Sequence, residues 1–435
     1  MSPSKLSMSP VNGTELVAVN DSVVPVRRVT KQAPHPLVMI PGPVEFTDEV
    51  LDAMKTPPQA HTGPAFTKTF SEVLRKVRLV FGNEKTAGGQ GIVVSGSGTL
   101  GWDFAGANLI TKPDSDKVLC VSTGFFSDGM IECLSNFVAD ENKQITVLEA
   151  AVGETVPLHD IKTQLQKDNY RLIALTQTDT STGVLTDIKA VAELVKQVSP
   201  ETLIVVDAVC SAGVEEIQFD NWGLDFVLTA SQKAMSTPAG LSIMMASQRA
   251  IDHALSVKHK KPVYCSFNKW LPIMANYEAN KPSYFATPSV QLVTAFNVSL
   301  NQILGSDPIV DPATKIPKSL LHRFAVHKNV ARSLRQDLLQ PQFGLRPVCN
   351  NIDDCCNGMT ALYVPDDVKV PDVLAYVSKN FDISLAGGIH PKIASKYIRI
   401  GHMGISVTGQ SAADVKRTAA AVKLALQAVS PKAKL

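Results

Sequence analysis

From residue 36 to about 300 the chain alternates short apolar runs, rich in β-branched residues, with stretches whose apolar positions recur at helical spacing. Strands buried on both faces need no polar alternation, so this pattern is that of a mainly parallel sheet covered by helices on either side. The runs predict strands over 91–95, 117–122, 144–149, 171–176, 203–207, 226–230 and 241–246, with helical segments such as 187–196 between them. After about 305 the pattern thins. A helix is predicted near 320–339, further elements at 360–364, 373–380, 381–385 and 397–400, and a last helix over 412–429. The fold class expected is α/β: a seven-stranded, mainly parallel sheet flanked by helices, followed by a smaller α+β lobe. A chain of 435 residues exceeds what one core supports. The division expected is an arm over 1–35, a large domain over 36–305 and a small carboxyl-terminal domain over 306–435.

Composition narrows the picture. A formal charge of +2 gives no reason to propose nucleic acid as a partner, and no apolar run approaches the length of a membrane span. Seven cysteines without a C-x-x-C pair read as reduced thiols of an intracellular compartment. Residues 1–34 lack periodicity and predict a mobile or partner-wrapping arm. Arg27, Arg28 and Lys31 hint at a transit peptide, but Glu15 and Asp21 argue against one. Ala433-Lys434-Leu435 is a close variant of the Ser-Lys-Leu peroxisomal address; the alternatives are cytoplasm and mitochondrion.

Open parallel sheets bind ligands beyond the carboxyl ends of their strands. After the first strand comes Ser95-Gly96-Ser97-Gly98-Thr99-Leu100-Gly101, opening a helix, where backbone N–H groups and two hydroxyls can cup a phosphate. Gly124-Phe125-Phe126 follows the second, offering a ring to stack on a flat heterocycle, although such a ring is more often a core packing residue. Asp179-Thr180-Ser181-Thr182-Gly183 follows the fourth. Asp207 ends the fifth and Lys233, 26 residues later, follows the sixth. An amine to bond an aldehyde and a carboxylate to face a pyridinium nitrogen are what pyridoxal 5'-phosphate requires. The rival is a nicotinamide or flavin site, since Gly96, Gly98 and Gly101 fit G-x-G-x-x-G. That fingerprint needs an acid at the end of the second strand, where this chain has Ser122 and Thr123.

In order and spacing, Pro41-Gly42-Pro43, the 95–101 loop, Thr180-Ser181-Thr182-Gly183-Val184, Val206-Asp207-Ala208-Val209, Ser231-Gln232-Lys233 and Tyr397-Ile398-Arg399-Ile400-Gly401 resemble the alanine–glyoxylate and serine–pyruvate aminotransferases. These are class V members of the fold type I pyridoxal phosphate enzymes, and the resemblance runs from about residue 36 to the end. It implies that Lys233 bonds the cofactor, that Asp207 faces its ring nitrogen, and that Ser97, Gly98, Thr99 and Gln232 hold its phosphate. Thr180 would bond near the ring hydroxyl or phosphate, and Phe126 would stack, although mammalian members carry tryptophan there and histidine at Thr99. Tyr284 and Thr287 match positions that reach the cofactor of the other subunit, which implies a homodimer. Arg399 matches the arginine that grips the substrate carboxylate, with Gly42 beside the substrate. On pattern alone, Arg399 is also compatible with a solvated position on a half-exposed strand. The cofactor-facing segments show no second arginine for a distal carboxylate, so alanine or serine is the expected donor, with glyoxylate or pyruvate as acceptor.

Two further readings remain at this level. A cysteine desulfurase would use Cys355 or Cys356, but such enzymes place histidine where this chain has Gln232, and the thiols directly precede a predicted strand, where structural cysteine is commoner. A non-catalytic dimeric binding protein could keep the fold. Intact Lys233, Asp207 and Arg399 count against it.

Overall fold

A computed structural model describes the backbone of residues 16–19 and 22–25, and residues 29–409 and 412–430 in full. Residues 433–435, read above as a targeting address, and most of the amino-terminal arm lie outside the described residues. Part of that arm is regular: Leu16–Val19 and Ser22–Pro25 pair antiparallel, as valine-rich runs favour.

The seven strands are β1 (Gln90–Ser95), β2 (Val118–Ser122), β3 (Ile145–Glu149), β4 (Leu172–Thr176), β5 (Leu203–Asp207), β6 (Phe226–Ala230) and β7 (Leu241–Ala246). Their order across the sheet is β1-β7-β6-β5-β4-β2-β3. All run parallel except β7, which is antiparallel to both β6 and β1. The apolar runs predict every boundary to within a residue because these strands are continuous hydrophobic blocks; β2, β4, β5 and β6 are buried along their whole length. Each fully buried Val, Leu or Ile contributes about 1.5–3 kcal/mol relative to exposure.

Helices cover both faces. Among them are α1 (Pro64–Phe81), α2 (Leu100–Leu109), α3 (Phe125–Ser135) and α4 (Ile188–Val198). Asp187 caps α4 by accepting the Ala190 N–H at 3.0 Å. The long helix α5 (Lys318–Leu338) joins two cores: Leu320 packs with the large sheet, and Leu334 and Leu338 with the smaller lobe. That lobe contains β8 (Met359–Tyr363), α6 (Val370–Phe381), β9 (Tyr397–Gly401) and α7 (Ala413–Val429). Its antiparallel sheet has the order Arg346–Pro347, β8, β9, Ala386–Gly387. Residues 37–39, expected in the large domain, belong to this lobe instead. Leu37–Val38 pairs parallel with Ile383–Ser384, and Leu37 and Met39 are fully buried in the lobe's core. From the small lobe the chain then passes to the Lys233 side chain at Gly42.

Candidate active site

β1, β2, β4, β5 and β6 all end along one edge of the sheet, and the chain turns that follow them build the site. The loop after β1 is pressed onto the ends of its neighbours: a Cβ at Gly98 would lie 2.7 Å from Val209 and 3.5 Å from Ala230, so only glycine fits. Ser97 and Thr99 stay exposed at the mouth of this loop, their hydroxyls 2.5 Å apart. The first turn of α2 then brings Trp102 to Asp207. The indole N–H donates to Asp207 Oδ2 at 2.7 Å, and the Val209 N–H donates to Oδ1 at 2.8 Å.

Asp207 is 4% exposed. Burial lifts its pKa to about 6; the Val209 and Trp102 hydrogen bonds and the charge of Lys233 pull it down, while Asp179 adds to the rise. Lys233 stands in the turn after β6, its Nζ donating to Pro41 O. Gly42 has φ +104°, a conformation that favours glycine, and a Cβ there would meet the lysine stem, which would have to shift. The turn is held from within by Ser231 Oγ, which donates to Pro238 O at 2.7 Å and accepts the Leu241 N–H at 3.2 Å. Behind it, buried Arg323 donates to Gly213 O and Ala234 O, both at 3.0 Å. Gln232 Oε1 is buried and accepts no hydrogen bond among the described residues.

Asp179 ties the next segment down. Thr178–Asp179 pairs with Val184–Leu185, and at the tip the buried Asp179 carboxylate accepts the N–H groups of Phe126 (3.0 Å) and Ser127 (3.1 Å) at the start of α3. It also accepts the N–H and hydroxyl of Ser181 at 2.9 and 2.6 Å. This is an N-terminal anchor in which charge and donors are matched. Phe126 is partly buried against the core, edge-on to the more exposed Phe125. Thr180 is buried, and its carbonyl accepts from Arg399 Nη1 at 3.2 Å. Arg399 Nε donates to Gly387 O at 2.8 Å. β9 is buried throughout, so Arg399 is not the solvated residue of a half-exposed strand; burial lowers its pKa.

The structure thus brings Gly42, Gly98, Thr180, Asp207, Gln232, Lys233 and Arg399 to one region. Tyr284 and Thr287 stand on the surface of this chain, with the Tyr284 ring against His61. Cys355 and Cys356 are buried, their thiols donating to the carbonyls of Asn351 and Met359, the structural reading of the pair. Sequence reasoning missed Trp102 and Tyr397. Trp102 meets a partner 105 residues away and carries no local signal. Asp179 was noticed only as part of a hydroxyl-rich run; its Asp-Thr-Ser context is a turn signature that could have marked it.

These residues fit a planar cofactor that carries an aldehyde, a cationic ring nitrogen and a phosphate. Among the described residues Asp207 is a buried carboxylate bonded to no cationic side chain and Gln232 keeps an unsatisfied acceptor, while the Gly98 cradle excludes a side chain. Fold and site together define a fold type I transaminase, and the chain belongs to the class V aminotransferase family, whose model, Aminotransferase class-V, matches residues 49–330. Among curated relatives it is 41% identical over 399 residues to alanine–glyoxylate aminotransferase 1 of Saccharomyces cerevisiae, covering 90% of this chain and 97% of that one. It is 28% identical to the serine–glyoxylate aminotransferase of Arabidopsis thaliana, over 84% of this chain and 85% of that one. Among solved structures, the alanine–glyoxylate aminotransferase of a Nostoc species superposes with a TM-score of 0.77 at 25% identity, covering 92% of this chain and 98% of that one.

Proposed function

We propose that this transaminase uses pyridoxal phosphate to move the amino group of alanine to glyoxylate, releasing pyruvate and glycine, with serine as a second donor. The observation that carries the reading is the placement of Lys233 near a buried Asp207 that has no bonded cation among the described residues. The 41% identity to an alanine–glyoxylate aminotransferase supports the substrate pair.

The cofactor, when bound, supplies an aldehyde that carries nitrogen between substrates and a ring that withdraws electrons from the substrate Cα. Lys233 would hold the aldehyde carbon. When not holding that carbon, its amine would take a proton from the substrate Cα as general base and give it up again as general acid. Ionised Asp207 would keep the ring nitrogen protonated, and Trp102 and Val209 fix the carboxylate's orientation. The 97–99 loop and Gln232 would take the phosphate. Arg399 would take the α-carboxylate with the guanidinium edge left by its two carbonyl bonds, which sets the angle of the Cα–H bond. Tyr284 and Thr287, exposed here, would complete the phosphate site of a second subunit. Light scattering on wild type and on Tyr284→Ala/Thr287→Ala tests that assembly: a dimer that binds cofactor only with these residues intact is expected.

Steady-state kinetics with alanine, serine and aspartate against glyoxylate and pyruvate tests the function. Parallel double-reciprocal lines, with alanine and glyoxylate giving the highest kcat/KM, are expected. Preference for aspartate would contradict the reading, because the 95–101, 124–126, 179–183, 207–209 and 231–240 segments carry no arginine for its distal carboxylate.

A further inference from the structure

Tyr397 and Arg399 are two residues apart on β9 and so project to the same face of the strand. They bond the same two segments. Arg399 reaches Thr180 O and Gly387 O. Tyr397, fully buried, donates its hydroxyl to Ser181 O and accepts the N–H groups of Ile389 at 3.0 Å and His390 at 3.1 Å. One donated and two accepted bonds use the full capacity of a phenol. Gly388 leaves room for the ring: a Cβ there would collide with Tyr397 Cε1 and with the Ala394 carbonyl. Lys392 makes a second link from this segment to the large sheet, pairing with Glu149 at 2.7 Å. Both partners of that pair are mostly exposed, so it contributes little. The buried phenol is the stronger tie.

We propose that Tyr397 is a positioning residue for amino-acid recognition. Its hydroxyl locks the 179–183 turn to the 387–390 segment, and through their carbonyls it fixes the orientation in which Arg399 presents its guanidinium. The inference rests on the reading of Arg399 as the carboxylate-binding group. Thr180 is the neighbour of Ser181, and Gly387 lies two residues before Ile389, so a shift of either segment moves an acceptor of Arg399 directly. A misplacement of about 1 Å at a binding group can cost on the order of 100-fold.

Tyr397→Phe in the cofactor-loaded enzyme tests this, since it keeps the ring and removes the three bonds. Amide hydrogen exchange across 387–391 is expected to speed up about tenfold or more, as the part-buried Ile389 N–H and the buried His390 N–H lose their acceptor. KM for both alanine and glyoxylate should rise about tenfold while kcat stays within about threefold, with the visible absorption of the bound cofactor unchanged. Unchanged exchange would overturn the proposal, and so would faster exchange with unchanged KM, which is what a purely structural tyrosine gives. Arg399→Lys, measured in parallel, separates the two layers. If it leaves KM unaltered, the reading of Arg399 fails. If it raises KM and Tyr397→Phe does not, only the positioning role fails. Should Tyr397→Phe not accumulate as folded protein, amide exchange in the wild-type, cofactor-loaded enzyme decides: saturating propionate, a carboxylate held at Arg399, must slow exchange across 387–391, and unchanged exchange there overturns the proposal equally.

Discussion

Two buried carboxylates in the large domain, Glu278 and Asp207, are handled in opposite ways. Glu278 accepts from Arg78 at 2.5 and 3.0 Å and from Gln90 at 3.2 Å, while Arg78 spends its other bonds on Asn83 and the carbonyls of Gly88 and Gly89. Burial pushes the Glu278 pKa up, but the Arg78 hydrogen bonds and charge outweigh it and hold the group below its ordinary value. Among the described residues Asp207 receives only an indole and an amide N–H, and burial prevails, taking it to about 6. The first carboxylate is electrostatically complete and serves the fold. The second has attraction to spare, and it lies at the ligand-binding edge of the sheet.

The largest expected effect is at the incomplete site. Lys233→Ala should lower turnover by about 10³-fold or more, the scale of a lost acid–base group, and abolish the lysine-linked visible absorption. Full activity in that variant would end the comparison. Next, Arg78→Met should cost about 3–5 kcal/mol of stability by leaving Glu278 buried and unpaired. Thermal or denaturant unfolding reads the loss, and kcat per folded molecule should stay within about twofold. A catalytic defect in a stable Arg78 variant would blur the distinction between the two carboxylates.

Trp102→Phe removes one hydrogen bond to a charged acceptor, an interaction worth about 1.5–3 kcal/mol. Cofactor affinity, followed by fluorescence quenching in the cofactor-free protein, should fall about tenfold, and the Asp207 pKa should move further up, because a donor that held it down is gone. The smallest effect is the pH dependence itself. In the cofactor-free protein the folded pKa of Asp207, about 6, lies above its unfolded value of about 3.9. Ionising it therefore opposes folding: the cost is absent below about pH 4, grows between 4 and 6, and is constant above. Cofactor affinity should run the other way, weakening by at most about tenfold per pH unit as the pH drops below 6 and Asp207 takes up a proton. Asp207→Asn should flatten that profile.

The strands were legible because parallel strands buried on both faces leave uninterrupted apolar runs, and the site residues stand at the ends of those runs or in the turns that follow them. Asp207 and Lys233 could be found that way. The rest depends on contacts across long separations. Arg78 and Glu278 meet over 200 residues, Trp102 and Asp207 over 105, and Tyr397 and Ser181 over 216. No local periodicity encodes such pairs. Leu37–Val38 escaped because two residues are too short to show alternation, and its partner strand, Ile383–Ser384, is equally short. The reversed direction of β7 left no trace either, since an antiparallel strand buried on both faces has the same composition as its parallel neighbours.

The central claim is that Asp207 and Lys233 form a pyridoxal phosphate site that exchanges nitrogen between alanine and glyoxylate. The most direct test is the visible spectrum of the purified, cofactor-supplied protein, recorded before and after alanine and again after glyoxylate. A lysine-linked band that fades with alanine and returns with glyoxylate is predicted. A band untouched by alanine, or no band at all with Lys233 and Asp207 intact, would contradict the account.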